Sequence, residues 1–272
     1  MRITIIDGQN FIMRARYAVP VWMQNSPHGV VFTLFRTLGA LIRDVSSEKV
    51  YFVLEGRPVA RHAASAEYKA GRVKDADQNF WNQWGVITET LKHKLPITVV
   101  RHPHHECDDV VGYLAEKHVL AGDHVTVVST DTDFIQLYNR FDSSFELYNP
   151  VKKQLVERPP YDYITWKALR GDGADNIIGF PGIGDKRAAD LVADELKLSE
   201  FLSSTPGHQE KFDHNRFMIA FHDLSSEAEA IEYWYPAHEY QDVRELFTSF
   251  NFKSITSDSA WDKFVAAFEA LE

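Results

Sequence analysis

Nine carboxylates stand where they could share a pair of divalent cations. Asp7 closes the apolar run Ile-Thr-Ile-Ile-Asp, Glu55 follows a second run at 49–54, and Asp131 and Asp133 follow a third at 124–129. Glu106, Asp108 and Asp109 open a helical stretch, and Asp172 and Asp175 lie three apart in Gly171-Asp172-Gly173-Ala174-Asp175, a spacing that fits one helical face or one tight loop. Like charges about 4 Å apart repel by about 4 kcal/mol at an effective dielectric of roughly 20, so this set gathered in a dry cleft demands positive charge. All-oxygen donors with no nearby His and Cys constellation suit Mg²⁺ or Mn²⁺ rather than zinc. Two such ions roughly 3.5–4 Å apart would activate water and stabilise the leaving oxygen of an in-line displacement at phosphorus. The plainer alternative is that acids after strands are helix N-caps and solvated loop residues. Convergence on one edge of the fold separates the two.

For the acids to meet, the elements between them must build a parallel sheet. Between the runs at 2–7 and 49–54, Val30, Val31, Leu34, Leu38, Leu41, Ile42 and Val45 recur at helical spacing, which gives a βαβ start. Further strands are expected at 97–101 and 124–129, joined by a helix at about 107–121. Near-continuous apolar strands alternating with helices predict an α/β fold with a mostly parallel central sheet covered on both faces. Ligands of such sheets bind beyond the carboxyl ends of the strands, which would put all three acid groups on one edge. Residues 145–157 read as a β-hairpin, and from Tyr161 the pattern is helical to the end. This predicts an α/β half over 1–160 and an all-helical half over 161–272. Residues 66–95 form a long charged excursion, expected to be helical and mobile; its Phe80, Trp81 and Trp84 lie at helical spacing and favour core over base-stacking roles.

With 44% apolar and 25% charged residues the 272-residue chain has ordinary globular composition. A net charge of −10 argues by itself against nucleic-acid binding. The charge is unevenly spread, however: residues 57–74 carry Arg57, Arg61, Lys69, Arg72 and Lys74 against Glu67 alone. A single cysteine, Cys107, cannot form an internal disulfide and reads as a small buried hydrophobe rather than a reactive thiol. With no signal peptide and no run of about 18 apolar residues, a cytoplasmic protein without membrane association is expected, most simply a monomer.

Gly179-Phe180-Pro181-Gly182-Ile183-Gly184-Asp185-Lys186-Arg187-Ala188-Ala189 matches a helix-hairpin-helix, expected at about 176–194. Gly182 and Gly184 would let the turn present backbone N–H groups to a phosphate at a helix N-terminus, and Lys186 and Arg187 would add charge without reading sequence. The alternative is a plain glycine-rich turn between two helices. His102, His104 and His105 precede the second acid group, but without Cys partners or a His-Glu-x-x-His helix they read as a solvated loop.

In order and spacing, Asp7-Gly-Gln-Asn, Glu67-Tyr68-Lys69-Ala70-Gly71-Arg72, Glu106-Cys107-Asp108-Asp109, Ser129-Thr130-Asp131-Thr132-Asp133, Gly171–Asn176 and Gly182–Ala188 resemble the flap endonuclease and 5′→3′ exonuclease family. That family includes phage 5′ nucleases and the N-terminal 5′ nuclease domain of bacterial DNA polymerase I. A fainter likeness continues over Leu246–Ser254, while 197–240 is uninformative. No polymerase sequence follows, so the chain resembles a free-standing member from a bacterium or a phage. The resemblance implies a PIN-like nuclease core with a helical arch at about 66–95 and a C-terminal helical DNA-binding region.

It also implies roles for particular residues. Asp7, Glu55, Glu106, Asp108 and Asp109 would surround the first metal, with Asp131, Asp133, Asp172 and Asp175 around the second. Tyr68 would stack on a terminal base, while Lys69 and Arg72 would face the scissile phosphate from the base of the arch. The hairpin would hold K⁺ through carbonyl oxygens. The expected activity is structure-specific hydrolysis of DNA with 5′ ends, flaps or junctions, leaving 5′-phosphates. At Glu55 the family usually has Asp, and the added methylene extends the carboxylate by about 1.5 Å. Glu55 therefore keeps open a branched-DNA binding protein with an impaired metal site. The Asp131-Thr132-Asp133 and Gly171-Asp172-x-x-Asp175 segments also mimic a haloacid-dehalogenase-type phosphatase, although that fold continues with further strands after its nucleophile. A PIN-type ribonuclease is a closer cousin, but such chains are usually shorter and lack the glycine hairpin.

Overall fold

The structure is a computed structural model that describes residues 1–71 and 77–271. Its first half runs β1 (Arg2–Asp7), α1 (Gly8–Tyr17), α2 (Gly29–Val45), β2 (Lys49–Leu54), α3 (Val59–Ala64), α4 (Gln78–His93), β3 (Thr98–Arg101), α5 (Cys107–Leu120), β4 (His124–Val128), β5 (Phe145–Asn149) and β6 (Gln154–Leu155). There follow α6 (Tyr163–Arg170), β7 (Gly171–Asp172), β8 (Ile177–Ile178), α7 (Asp185–Val192), α8 (Glu195–Ser203), α9 (His208–Ile219), β9 (Glu232–Trp234), α10 (Tyr240–Ser249), α11 (Lys253–Thr256) and α12 (Asp258–Phe268).

The main sheet has the order β6-β5-β4-β1-β2-β3-β9. Its five inner strands are parallel, and β6 and β9 are antiparallel edges. The chain leaves β1 for β2 and β3 on one side and returns on the other side as β4, so the strand order reverses at the β1/β4 gap. Such a switch point opens a crevice at the carboxyl edge. Alternation along each strand feeds two cores. Ile3 and Ile5 of β1, with Tyr51 and Val53 of β2, face α5, whereas Ile6, Val50, Phe52 and Leu54 join α1, α2 and α4. Burial on both faces explains why the strands read as continuous apolar runs.

The all-helical half expected from Tyr161 onward is corrected in two ways. Glu232–Trp234 pairs antiparallel with β3, which caps that edge, and Phe247, Phe252 and Phe268 of the C-terminal helices are fully buried in the α1/α2/α4 core. Burying each of these rings contributes about 1.5–3 kcal/mol, so the C-terminal third is fastened to the α/β core rather than standing apart. A separate third core lies among α6 to α9, built from Ala168, Leu169, Phe180, Ile183, Phe212 and Met218. The excursion at 66–95 is also changed. Over 78–93 it is the helix α4, and Phe80, Ile87 and Leu91 pack it onto the core, so this stretch does not project as a mobile arch. Arg72, expected beside the scissile phosphate, lies outside the described residues.

Candidate metal centre

Each strand of the switch point delivers an acid to the crevice. Asp7 ends β1 and caps α1, accepting from Asn10 N at 3.0 Å and from Ser129 Oγ at 2.7 Å. The helix starts this abruptly because residue 8 is glycine: a Cβ there would collide with the Val53 carbonyl and the Phe52 ring. Glu55 follows β2 and accepts from Cys107 N at 3.0 Å. The next residue, Gly56, passes so close to the carbonyls of His102 and His105 that a side chain would not fit. Asp131 caps the 3-10 turn after β4, accepting from Asp133 N at 2.9 Å. These three acids and Asp108, from the first turn of α5, line one cavity of about 400 Å³ together with Lys69, Asn10, Met13, Phe80 and Trp81.

Charge in this cavity is under-compensated. Burial first, and then the neighbouring Asp131, push Asp7 up to about 6, against hydrogen bonds that lower it. Glu55 is pushed up to about 7, again chiefly by burial, although Lys69 opposes the change. Burial and the charges of Asp7, Asp131 and Glu55 drive Asp108 well above the carboxylate range. One carboxylate oxygen each from Asp7 and Asp108 lies within 4.8 Å of the Cys107 sulfur and of each other. Cys107 is itself buried, its thiol turned to Asp7 and the Val53 carbonyl, and burial raises its pKa. It behaves as the small core residue expected.

A second group adjoins the first, since Asp131 lines both cavities. Asp133, Asp172 and Asp175 present oxygens within 4.8 Å of one another. Between two of them sits Lys167, which donates to Asp133 and lies 2.6 Å from Asp172. Burial pushes Asp133 up to about 6 despite that cation. Burial acts on Asp172 too, but Lys167 and the backbone outweigh it and hold the carboxyl below its ordinary value. Lys167 was not singled out in the sequence; it lies on α6, five residues before Asp172, with no motif to mark it.

Two of the expected ligands are committed elsewhere. Asp109 is fully buried and receives both guanidinium nitrogens of Arg61, at 2.7 and 2.8 Å, together with His222 N at 2.9 Å. Burial would raise its pKa, but His105, Arg61 and the His222 amide outweigh it and hold the carboxyl below its ordinary range. Glu106 caps α5 and accepts from Arg61 at 2.6 Å, from Tyr68 Oη at 2.9 Å and from Lys69 Nζ. Every N–H of Arg61 is spent, the other two on the carbonyls of Met218 at 3.1 Å and Ala220 at 2.9 Å. The sequence placed Arg61 only in a basic run; its partners lie 45–159 positions away. The demand for cations is therefore met in part by the protein's own Arg61, Lys69 and Lys167.

Tyr68 does not fit its expected stacking role. The side chain is 4% exposed, and its hydroxyl donates to Glu106 at 2.9 Å and lies 3.3 Å from Asp175. His102 and His105 are also not a solvated loop. Both are buried, with His105 set between Asp109 at 3.7 Å and Glu227 at 3.3 Å; His104 alone of the three is exposed. At the hairpin, the first helix is α6, upstream of the expected 176–194, and the turn runs through the β7–β8 pair to α7. Gly182 adopts φ +72°, Gly184 caps α7, and Lys186 and Arg187 are exposed on its first turn.

An open, mostly parallel sheet that gathers acids at its switch point beside a glycine hairpin is a PIN-like nuclease fold. The chain belongs to the 5′-3′ exonuclease family: residues 2–160 match its N-terminal resolvase-like domain. A 5′-3′ exonuclease of Aquifex aeolicus is 30% identical over 219 residues, covering 76% of this chain and 74% of that protein. The thermostable DNA polymerase I of Thermus filiformis is 31% identical over 212 residues, covering 75% of this chain but 25% of the polymerase. The chain thus spans about a quarter of the polymerases it matches. In three dimensions it is similar to the bacteriophage T5 5′-exonuclease with bound zinc, at 20% identity and a TM-score of 0.58, over 99% of this chain and 98% of that one. No described helix is long and apolar enough to cross a membrane.

Proposed function

We propose that this chain is a structure-specific 5′ nuclease that hydrolyses DNA phosphodiesters with two Mg²⁺ or Mn²⁺ ions and leaves 5′-phosphates. The observation that carries this reading is the cavity in which Asp7, Glu55, Asp108 and Asp131 face one another with Lys69 as the nearby cation. Its donor set is oxygen-rich, and Asp7, Glu55 and Asp108 hold protons unusually tightly, which is the state expected of carboxylates arranged for a cation. Asp7, Glu55, Asp108 and Asp131 would hold the first ion, and Asp131, Asp133, Asp172 and Asp175 the second. When bound, the ions supply charge neutralisation at the phosphate and acidify water.

The chain's own residues do the rest. Lys69 lines the same cavity and would stabilise negative charge growing on the phosphoryl oxygens. Glu106, which accepts from Lys69, fixes that ammonium, and Arg61 fixes Glu106 in turn. Lys167 holds Asp133 and Asp172 in register against their mutual repulsion. Lys186, Arg187 and the Gly182–Gly184 turn bind duplex phosphates, with K⁺ as a further occupant of the turn, and so place the 5′ end over the acids.

End-labelled 5′-flap, nicked and blunt duplexes incubated with Mg²⁺, Mn²⁺ or EDTA test the proposal. Metal-dependent release of 5′-phosphorylated products is expected, with Asp131→Ala abolishing cleavage while sparing binding. Cleavage in EDTA, or substantial residual activity in Asp131→Ala, would remove the metal assignment.

A further inference from the structure

We infer that Trp81 is the platform on which the nucleobase beside the scissile phosphodiester stacks; the inference rests on the nuclease reading above. Burial removes Tyr68, the aromatic expected to stack on a terminal base, from any such role. Trp81 stands instead in the first turn of α4 and lines the candidate metal cavity, whose walls also carry Met13, Phe80 and the acids Asp7, Glu55, Asp108 and Asp131. It keeps 44% of its surface exposed, although its neighbour Phe80 is 2% exposed in the core.

The indole is braced by its neighbours. Asp77 caps α4 through Asn79 N at 3.0 Å and Phe80 N at 3.3 Å, and Arg16 lies 3.3 Å from Asp77 and 4.3 Å above the Phe80 ring. Phe80 and Trp84 then contact the indole at centroid distances of 5.3 and 5.6 Å. A ring held this way loses little rotamer freedom when a ligand covers it. The cavity therefore joins acids that attract cations, and through them a phosphate, to a rigid flat apolar face. A nucleotide offers both complements at once: its phosphate for the ions and its base for the indole. Stacking on a π-face tolerates every base, which suits an enzyme that reads DNA shape rather than sequence.

The test is a cycle between Trp81 and the base itself. Duplexes with a 5′ single strand carry an abasic residue on one or the other side of the scissile bond, and wild type, Trp81→Ala, Trp81→Leu and Trp81→Phe are compared. Affinity is read by anisotropy in Ca²⁺ and single-turnover cleavage in Mn²⁺. Trp81→Ala and Trp81→Leu should each weaken binding of intact DNA about tenfold, while Trp81→Phe stays within about threefold. One abasic position should cost wild type about the same and cost the Ala and Leu variants nothing. Losses that simply multiply, with abasic DNA penalised equally in wild type and variants, overturn the stacking role. Wild type that binds DNA without cutting it overturns the nuclease reading alone, because the affinity cycle still decides the stacking. Wild type that binds no DNA overturns both. The Leu variant keeps apolar bulk, so a folding defect confined to Ala leaves the comparison intact.

Discussion

Removing Arg61 should unfold the base of the metal centre. Arg61 is 3% exposed, and its guanidinium makes five hydrogen bonds: to both Asp109 oxygens, to Glu106 and to the carbonyls of Met218 and Ala220. Arg61→Ala strands a fully buried Asp109 and releases the Met218 and Ala220 carbonyls from α3. Breaking a buried pair from one side costs about 3–5 kcal/mol, because an uncompensated charge stays behind. Glu106 keeps Lys69 and Tyr68, so the loss falls mainly on Asp109. At roughly 2–4 °C per kcal/mol for a chain of this size, the melting temperature should fall by about 10 °C. Arg61→Lys should lose about 2 kcal/mol, since an ammonium cannot make the bidentate contact or reach both carbonyls.

The pH dependence gives a second readout of the same pair. Asp109 has a folded pKa below its unfolded value, so its contribution is fully present above that unfolded value and is lost as pH falls through the folded one. Wild type should therefore lose stability below about pH 5, and this part of the slope should vanish in Asp109→Asn. Calorimetric melts in EDTA from about pH 2 to 6 measure both. A melting point for Arg61→Ala within 2 °C of wild type, or a slope unchanged in Asp109→Asn, would refute the reasoning.

Three further outcomes follow from the same geometry. Asp7 and Glu55 are raised to about 6 and about 7, and Asp108 is raised well above the carboxylate range; all three must release their protons to accept a cation, so Mn²⁺ affinity by calorimetry should climb steadily as pH rises from acid through neutrality, and a flat profile would contradict the assigned ligands. Replacing Lys186 and Arg187 together by Ala should lower the salt slope of duplex binding by about 2 while leaving the cleavage rate of bound substrate unchanged, as fluorescence titration across salt concentrations would read. Gly8→Ala should displace Asp7 as α1 is pushed off Val53, weakening Mn²⁺ binding at least tenfold in the soluble fraction; retention of wild-type affinity would show that the collision is absorbed elsewhere.

The strands at 2–7 and 49–54, and those at 98–101 and 124–128, follow directly from apolar runs of strand length, and α2 and α5 from helical spacing. Residue order alone also placed Asp7, Glu55, Asp108 and Asp131 at one edge, because in a parallel sheet whatever follows each strand meets at the same end. Tertiary structure decided which of the clustered acids face the cavity. Glu106, Asp108 and Asp109 are consecutive or nearly so, yet α5 turns Asp108 into the cleft and Asp109 onto Arg61. Residue type cannot distinguish them, since the difference lies in partners 48 and 113 positions away. The same holds for Tyr68 and Trp81, whose exposure depends on the α6–α9 core for one and on the docking of α4 for the other. The C-terminal helices looked like a separate half because periodicity records only that a face is apolar. That their phenylalanines would cover α2 is a matter of which surface lies within reach, and only the folded chain determines it.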